Sequence, residues 1–180
     1  MFDDADRPDW AEKEITALAE KNIVNGVAPG KFEPNRDITR AEFTKLIVTA
    51  MQLEKADTVP AFEDVQGLWS QEYIETAASL GIVTGYDGMF LPEDCITREE
   101  MAAILYRTMQ AVNPEDAYLA SELSFQDREE ISPWAEEAIA FISEKEIVKG
   151  MEDQTFAPKQ NATRAQAAVV IYRLMEYLDK

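Results

Sequence analysis

The sequence predicts an all-α protein that contains three copies of one helix-loop-helix unit. Each copy carries, in the same order, a Phe-x-Asp pair, a Trp, an Ile-Val-x-Gly segment, a Phe-x-Pro segment and a Thr-Arg-x-Glu/Gln block. Apolar residues recur at helical spacing after each Trp and after each Thr of that block. A single copy would bury too little surface, so we expect the three to pack as one compact three-lobed body with their capped helices at the centre.

The first helix of each copy is predicted to follow its Trp. In the first copy its apolar residues recur at helical spacing: Ala11, Ile15, Leu18 and Ala19. The helix should end near Asn22 in the first copy and Gly81 in the second, because Asn and Gly tolerate the left-handed conformation common at helix C-termini. Glu146 in the third copy lacks that tolerance.

The segment between the two helices is predicted to be a loop, since its Gly and Pro residues favour turns. Each copy has one Phe in this loop, which we expect to be a core anchor: Phe32, Phe90 and Phe156. The third copy has Gln154 where the others have Gly30 and Gly88. We therefore expect its turn to differ.

The second helix is predicted to begin at the Thr-Arg-x-Glu/Gln block, which has the spacing of a capping box. In that motif the Thr hydroxyl accepts from the amide three residues on, and the Glu or Gln side chain accepts from the Thr amide. The apolar stripe that follows fits a shared core better than a cofactor site. We expect the units to span residues 1–56, 57–115 and 116–180.

The composition excludes several classes of function. The 180 residues include no His and one Cys, Cys95, so the chain lacks a His-based nucleophile pair, His metal ligands and a Cys-x-x-Cys motif. We expect no catalytic residues, no metal and no cofactor. The formal net charge of −18 opposes binding to nucleic acid and to anionic lipid. No wholly apolar run is longer than that at 167–172, which is far shorter than the ~20 residues of a membrane-spanning helix.

The repeated motifs resemble those of the S-layer homology (SLH) family, whose repeats carry Phe-x-Asp, a following Trp, Gly-Ile-Val-x-Gly, a Gly-x-Phe-x-Pro loop and Ile-Thr-Arg-Ala-Glu. The resemblance runs from Phe2 to about Leu178. It implies three tandem SLH repeats with pseudo-threefold symmetry around a central three-helix bundle. It also implies a non-enzymatic module that anchors a larger surface protein to secondary cell wall polysaccharide, or to a peptidoglycan-linked glycan, at the bacterial cell surface.

In that family the recognised unit is often a terminal pyruvylated N-acetylmannosamine, held in grooves between neighbouring repeats. The resemblance carries four carbohydrate-binding positions onto each copy: Asp4, Trp10, Gly26 and Arg40, then Asp64, Trp69, Gly85 and Arg98, then Asp127, Trp134, Gly150 and Arg164. The cargo would belong to the parent protein, outside this chain. The N-terminus lacks a basic region followed by an apolar stretch, so we expect a secretion signal to be absent or removed.

Each of these positions also has a structural alternative. The Arg can hold a carboxylate with two parallel hydrogen bonds or pair with a nearby acid. The Trp face suits the C–H surface of a pyranose but can also close the lobe core. The Asp can accept from sugar hydroxyls or cap a turn, and the Gly can admit a sugar to the backbone or supply a positive φ. In the second copy Glu99 adds a carboxylate beside Arg98, which is expected to weaken anion capture there.

Two other functions stay open at this stage. The first is a self-assembly module whose lobes make protein-protein contacts in a surface lattice. The second is an acid-only glycosidase, which needs two carboxylates and no His, although no acidic pair is singled out by its context. Exposure of the Arg and Trp side chains in clefts would favour glycan binding, and their burial between lobes would favour the structural role.

Overall fold

The computed structural model describes Phe2 and residues 8–55, 62–116 and 123–179. These ranges contain six α-helices and isolated β-bridges without a strand, which confirms the all-α prediction. The helices are α1 (Glu12–Glu20), α2 (Arg40–Met51), α3 (Gln71–Ser79), α4 (Arg98–Val112), α5 (Glu136–Glu144) and α6 (Arg164–Tyr177). Short 3-10 turns at Asp9–Ala11 and Arg128–Glu130 precede α1 and α5.

The predicted capping boxes are confirmed at the start of α2, α4 and α6. Thr39, Thr97 and Thr163 each accept at the side chain from the amide three residues on, and the Glu or Gln there accepts from the Thr amide. The reciprocal bonds satisfy two amides that the helix itself leaves unpaired. Each capped helix therefore begins at the Arg of its block.

Left-handed residues end the first helices and shape the loops. Asn22 and Gly81 have φ of 57° and 71°, as predicted, and Glu146 adopts 55° in spite of its side chain. Gln154 has a φ of 64°, close to the 73° of Gly30. Gln154 thus adopts the left-handed φ of the glycines, but the third turn does differ as predicted, because the Gln154 amide donates to the Met151 carbonyl whereas in the first turn the Lys31 amide donates to the Ala28 carbonyl.

The core of each copy is built on a pair of phenylalanine rings. The loop Phe residues are buried as predicted, and each packs against the Phe of a Phe-x-Asp pair. The centroid distances are 5.2 Å for Phe2 and Phe32, 5.6 Å for Phe62 and Phe90, and 5.3 Å for Phe125 and Phe156. The helical stripes are buried too, apart from the half-buried Ala19 and Leu46.

The helices pack across the boundaries of the sequence repeats. Helix α3 of the second copy lies on α2 of the first, α5 of the third lies on α4 of the second, and α1 of the first lies on α6 of the third. Helix α2 also contacts α4 and α6. The packing unit therefore combines the capped helix of one copy with the first helix of the next, in a cyclic order.

Backbone hydrogen bonds close the same cycle. The Ile38 amide donates to the Ala162 carbonyl at 3.0 Å, Ala162 donates to Ile96 at 2.9 Å, and Ile96 donates to Ile38 at 3.1 Å. The three residues precede the three capping threonines. Each copy is thus tied directly to both others at the point where its capped helix begins.

Candidate carbohydrate-binding grooves

The repeated arginines bind the loop of the next copy. Arg40 donates from Nε to the Phe90 carbonyl at 3.0 Å and from Nη2 to the Thr84 carbonyl at 3.3 Å. The same pair of bonds recurs from Arg98 to Phe156 and Lys149, and from Arg164 to Phe32 and Asn25. Each guanidinium also lies over the ring of that loop Phe, at 4.6 to 5.0 Å from the centroid. One fork of every repeated Arg is therefore occupied by two carbonyls.

The Nη1 side of these arginines meets a different neighbour in each copy. Arg40 Nη1 lies 3.1 Å from Glu100 and Arg164 Nη1 lies 3.6 Å from Glu42. Both acids belong to capping boxes, and the corresponding residue opposite Arg98 is the uncharged Gln166. Arg98 is only 3% exposed, and this burial lowers its pKa, although the charge of Asp127 acts in the other direction.

The aspartates of the Phe-x-Asp pairs bind backbone amides in their own copy. Asp64 accepts from Phe90 N at 2.8 Å and Leu91 N at 2.6 Å, and Asp127 accepts from the equivalent Phe156 and Ala157 at 2.7 Å each. Leu91 and Ala157 have positive φ, so each carboxylate holds a strained loop residue in place. Asp4, the third predicted aspartate, lies outside the described residues.

The three predicted glycines are required by close packing. None of Gly26, Gly85 and Gly150 has a positive φ, so that alternative is wrong for them. A Cβ at Gly150 would lie 2.7 Å from the Phe125 ring and 2.8 Å from the Thr155 carbonyl oxygen, and the other two glycines face equivalent atoms. The space beside each glycine is filled by the chain's own Phe-x-Asp aromatic ring.

The three predicted tryptophans are exposed. Trp10, Trp69 and Trp134 are 56%, 55% and 53% exposed, so they do not close the lobe core. A large apolar ring left in water in every copy is unusual for a residue with a purely internal role.

Two of these tryptophans line cavities to which all three copies contribute. The first groove, about 290 Å³, is bounded by Asn25, Gly26, Glu42, Lys45, Trp69 and Arg164. The second groove, about 620 Å³, is bounded by Arg40, Gly85, Tyr86, Arg107, Trp134 and the exposed thiol of Cys95. In both, one copy supplies the Arg, the next the Gly loop and the third the Trp.

Sequence comparison identifies the family of this three-copy arrangement. The family profile described as S-layer homology domain matches residues 2–44, 61–102 and 124–168, which together exceed half of the chain. The chain belongs to the S-layer homology domain family. The three matches correspond to three tandem SLH repeats, one for each copy of the helix-loop-helix unit.

Relatives of this SLH domain include surface proteins and enzymes. An amylopullulanase of Thermoanaerobacterium thermosulfurigenes is 38% identical over 94% of this chain but only 9% of its own length. The S-layer protein sap of Bacillus anthracis is 32% identical over 94% of this chain and 20% of its own. A cellulosome-anchoring protein of Acetivibrio thermocellus is 36% identical over 61% of this chain and 26% of its own. The family and these relatives place the domain at the bacterial cell surface.

The chain spans about a quarter or less of the relatives it matches. The region shared by enzymes and S-layer proteins is the SLH region, which is an anchoring module. Within the described ranges, no group of three or more His, Cys, Asp or Glu is placed to hold a metal ion. No helix among those residues is long and apolar enough to cross a membrane.

Some residues that line the grooves of this SLH domain were not predicted from its sequence. Lys45 projects into the first groove, and Tyr86 and Arg107 line the second. None of them is shared by all three repeats, so a search for repeated anchors passes over them. In the sequence, the one feature that could have indicated them is a cation or an aromatic residue close to a repeated motif.

The sequence placed Glu99 next to Arg98, where its carboxylate was expected to weaken anion capture. In the structure Glu99 does not pair with Arg98. Its carboxylate accepts from the Ser132 amide at 3.0 Å and from Lys159 Nζ at 2.6 Å, and the residue is buried. Glu99 therefore links the second repeat to the third.

Proposed function

We propose that this SLH domain anchors a parent protein by binding secondary cell wall polysaccharide in the grooves between its repeats. The observation that carries the proposal is the exposure of Trp69 and Trp134 beside cavities that also contain a Gly loop and an Arg from the other two repeats. An exposed aromatic face suits the C–H surface of a pyranose ring, and neighbouring carbonyls and charged groups suit its hydroxyls.

The glycan class that fits best is one with a carboxylate, such as a terminal pyruvylated N-acetylmannosamine. Cations line both grooves, and the chain as a whole carries a formal charge of −18. Screening over a Debye length of about 8 Å at physiological salt lets the groove cations outweigh the distant acids. Binding to a repeating polymer through two grooves gains strength from multivalency.

The parent protein's own activity would lie outside this chain. Enzymes and S-layer proteins share this region with the chain, and the shared part is small compared with their length. We therefore propose that the domain is non-catalytic and serves a range of cargoes. A peptidoglycan-linked glycan is the second polymer that the same grooves would accept.

The test is calorimetric titration of purified wall polysaccharide into the domain, with the intact polymer and with polymer freed of pyruvate by mild acid. Trp69→Ala and Trp134→Ala should each weaken binding, and because the side chains are exposed the fold should be unaffected. Tyr177→Ala is the control, since Tyr177 is also an exposed aromatic residue but lines neither described groove. A folded domain that gives no heat with either polymer would favour protein-protein contacts in a surface lattice.

A further inference from the structure

We propose that Lys45 in the first groove and Arg107 in the second are the cations that bind the carboxylate of an anionic glycan. The repeated arginines then act as positioning residues that hold each groove together. This inference rests on the proposed glycan-binding function and assigns charge recognition within it.

The repeated arginines are poorly placed to capture a ligand carboxylate. Their Nε and Nη2 groups already donate to two loop carbonyls of the next repeat. In both grooves the remaining Nη1 faces a capping-box glutamate, Glu100 for Arg40 and Glu42 for Arg164. A second carboxylate placed there would compete with the glutamate for the guanidinium and would be repelled by it.

Lys45 is the uncompensated positive charge of the first groove. Within the described ranges no carboxylate lies within ion-pair distance of its Nζ, although Glu42 stands three residues before it on α2. The ammonium lies 5.8 Å from the ring centroids of both Trp69 and Tyr73, which belong to the second repeat. A sugar on the exposed Trp69 face would therefore bring its acid group next to a cation.

Arg107 is the unpaired cation of the second groove, one helical turn beyond the position equivalent to Lys45 and with a different donor geometry. It is half-buried on α4 and, among the described residues, makes no ion pair or side-chain hydrogen bond. Burial lowers the pKa of this guanidinium, because desolvation disfavours its charged form. Because its N–H groups are uncommitted, it can present two parallel donors to a carboxylate.

Because their cations differ, the two grooves should differ in their affinity for an acidic glycan. Lys45 aligns with Ala103 and Val169 in the other repeats, and Arg107 aligns with Thr49 and Arg173. A planar fork holds a carboxylate better than an ammonium does, and the second groove adds Tyr86, which is 82% exposed. We expect the second groove to bind an acidic glycan more tightly than the first.

The variants Lys45→Gln and Arg107→Gln test the assignment by calorimetry with pyruvylated wall polysaccharide. Each should weaken its own groove about tenfold or more, because a hydrogen bond to a charged group is lost. Arg107→Lys should bind with intermediate strength, since it keeps the charge and loses the fork. Lys21→Gln and Arg128→Gln remove exposed cations that line neither described groove, and they should bind like the parent.

Three polymer preparations identify the source of the carboxylate. Mild acid removes pyruvate ketals and leaves uronic acids, whereas carbodiimide amidation neutralises all carboxyl groups. Binding lost only after amidation would assign a uronic acid, and binding lost after either treatment would assign the ketal. In both cases the parent and the two Gln variants should become equal once the carboxylate is gone.

Cys95 reports on the second groove separately, since its exposed thiol lines that cavity and no other Cys occurs in the chain. Bound polysaccharide should slow alkylation of Cys95 by the uncharged reagent iodoacetamide. Lys45→Gln should keep this protection and Arg107→Gln should lose it. Unchanged melting temperatures of both variants would show that the fold is retained.

The outcomes separate the two proposals. If the parent binds polysaccharide and both Gln variants bind equally well, the cation assignment is wrong and the anchoring function stands. If the parent binds neither the intact nor the treated polymer, the anchoring function fails and the assignment fails with it.

Discussion

The Nε of Arg164 donates a 2.9 Å hydrogen bond to the carbonyl oxygen of Phe32, which joins the last repeat of the chain to the first. Arg40 and Arg98 make the equivalent bonds to the second and third repeats. The three repeats are thereby linked in a closed cycle, unlike an open solenoid in which the terminal repeats have one neighbour each. An Arg that the sequence marks as repeated is therefore one of the links between repeats in this structure.

Substitution of Arg164 by Met should destabilise the whole domain. The buried bond to the Phe32 carbonyl and the half-buried bond to the Asn25 carbonyl would be lost, and leaving such groups unsatisfied costs up to about 1–3 kcal/mol each. We expect the free energy of unfolding in urea, followed by circular dichroism, to fall by about 2–4 kcal/mol. The exposed Arg128→Met serves as control, and equal unfolding midpoints for the two variants would contradict the structural role.

Removal of the Asp64 carboxylate should release its loop. Asp64→Ala leaves the amides of Phe90 and Leu91 without their acceptor, and Leu91 would keep its positive φ unsupported. The expected loss of unfolding free energy is about 2–3 kcal/mol. The neighbouring exposed Glu63→Ala should change it by less than about 0.5 kcal/mol. Thermal melting of both variants checks the difference. If Asp64→Ala melts at the same temperature as the parent, the loop keeps its conformation without the carboxylate.

Gly85→Ala should disturb the aromatic pair of the second repeat. Its Cβ would overlap the Phe62 ring and the Met89 carbonyl oxygen, whereas a Cβ at Gly88 in the same loop meets nothing. Gly88→Ala should therefore lower the free energy of unfolding by about 1 kcal/mol, because of its left-handed φ alone. Gly85→Ala should lower it by more. In a double-mutant cycle with Phe62→Leu the two losses should be less than additive. Full additivity would mean that the ring is not what excludes the Cβ.

The carboxylate of Glu42 should stabilise the fold only above its own pKa. Burial opposes its ionisation, but the bond from Arg36 at 2.5 Å and the Thr39 amide outweigh burial, so the pKa lies below its ordinary value of 4.5. A lowered pKa gives stability that is present above the ordinary value and is lost as the pH falls through the folded value.

Glu42→Gln should therefore lower the unfolding free energy by about 1 kcal/mol at neutral pH and by less near pH ~3. Gln166 shows that Gln serves equally well in the capping box, so the change removes charge and keeps the cap. Urea unfolding at both pH values measures the gap between variant and parent. A gap that is the same at both would indicate a loss of packing instead of charge.

Much of the fold follows from local rules and was predictable. Thr39 and Glu42 form a capping box because the motif is satisfied within one helical turn, and Phe32 is buried because a large apolar ring is expelled from water wherever the loop lies. The roles of the site residues were harder to predict. Arg40 and Asp64 have the right chemistry for a sugar acid and a sugar hydroxyl, but their partners lie 26 to 60 positions away along the chain.

The sequence by itself determined the three units, their capped helices, the possible sugar-stacking role of each Trp and the absence of His chemistry. These features depend on composition and on contacts within a few residues. Only the tertiary structure decided that α3 packs on α2 of the preceding repeat and that each Arg reaches into the next loop. It also decided that the cations left unpaired in the described grooves are Lys45 and Arg107, which no repeat pattern marks. The physical reason is that a groove between repeats is formed by side chains from three distant segments, and which charges remain unpaired there depends on how those segments meet.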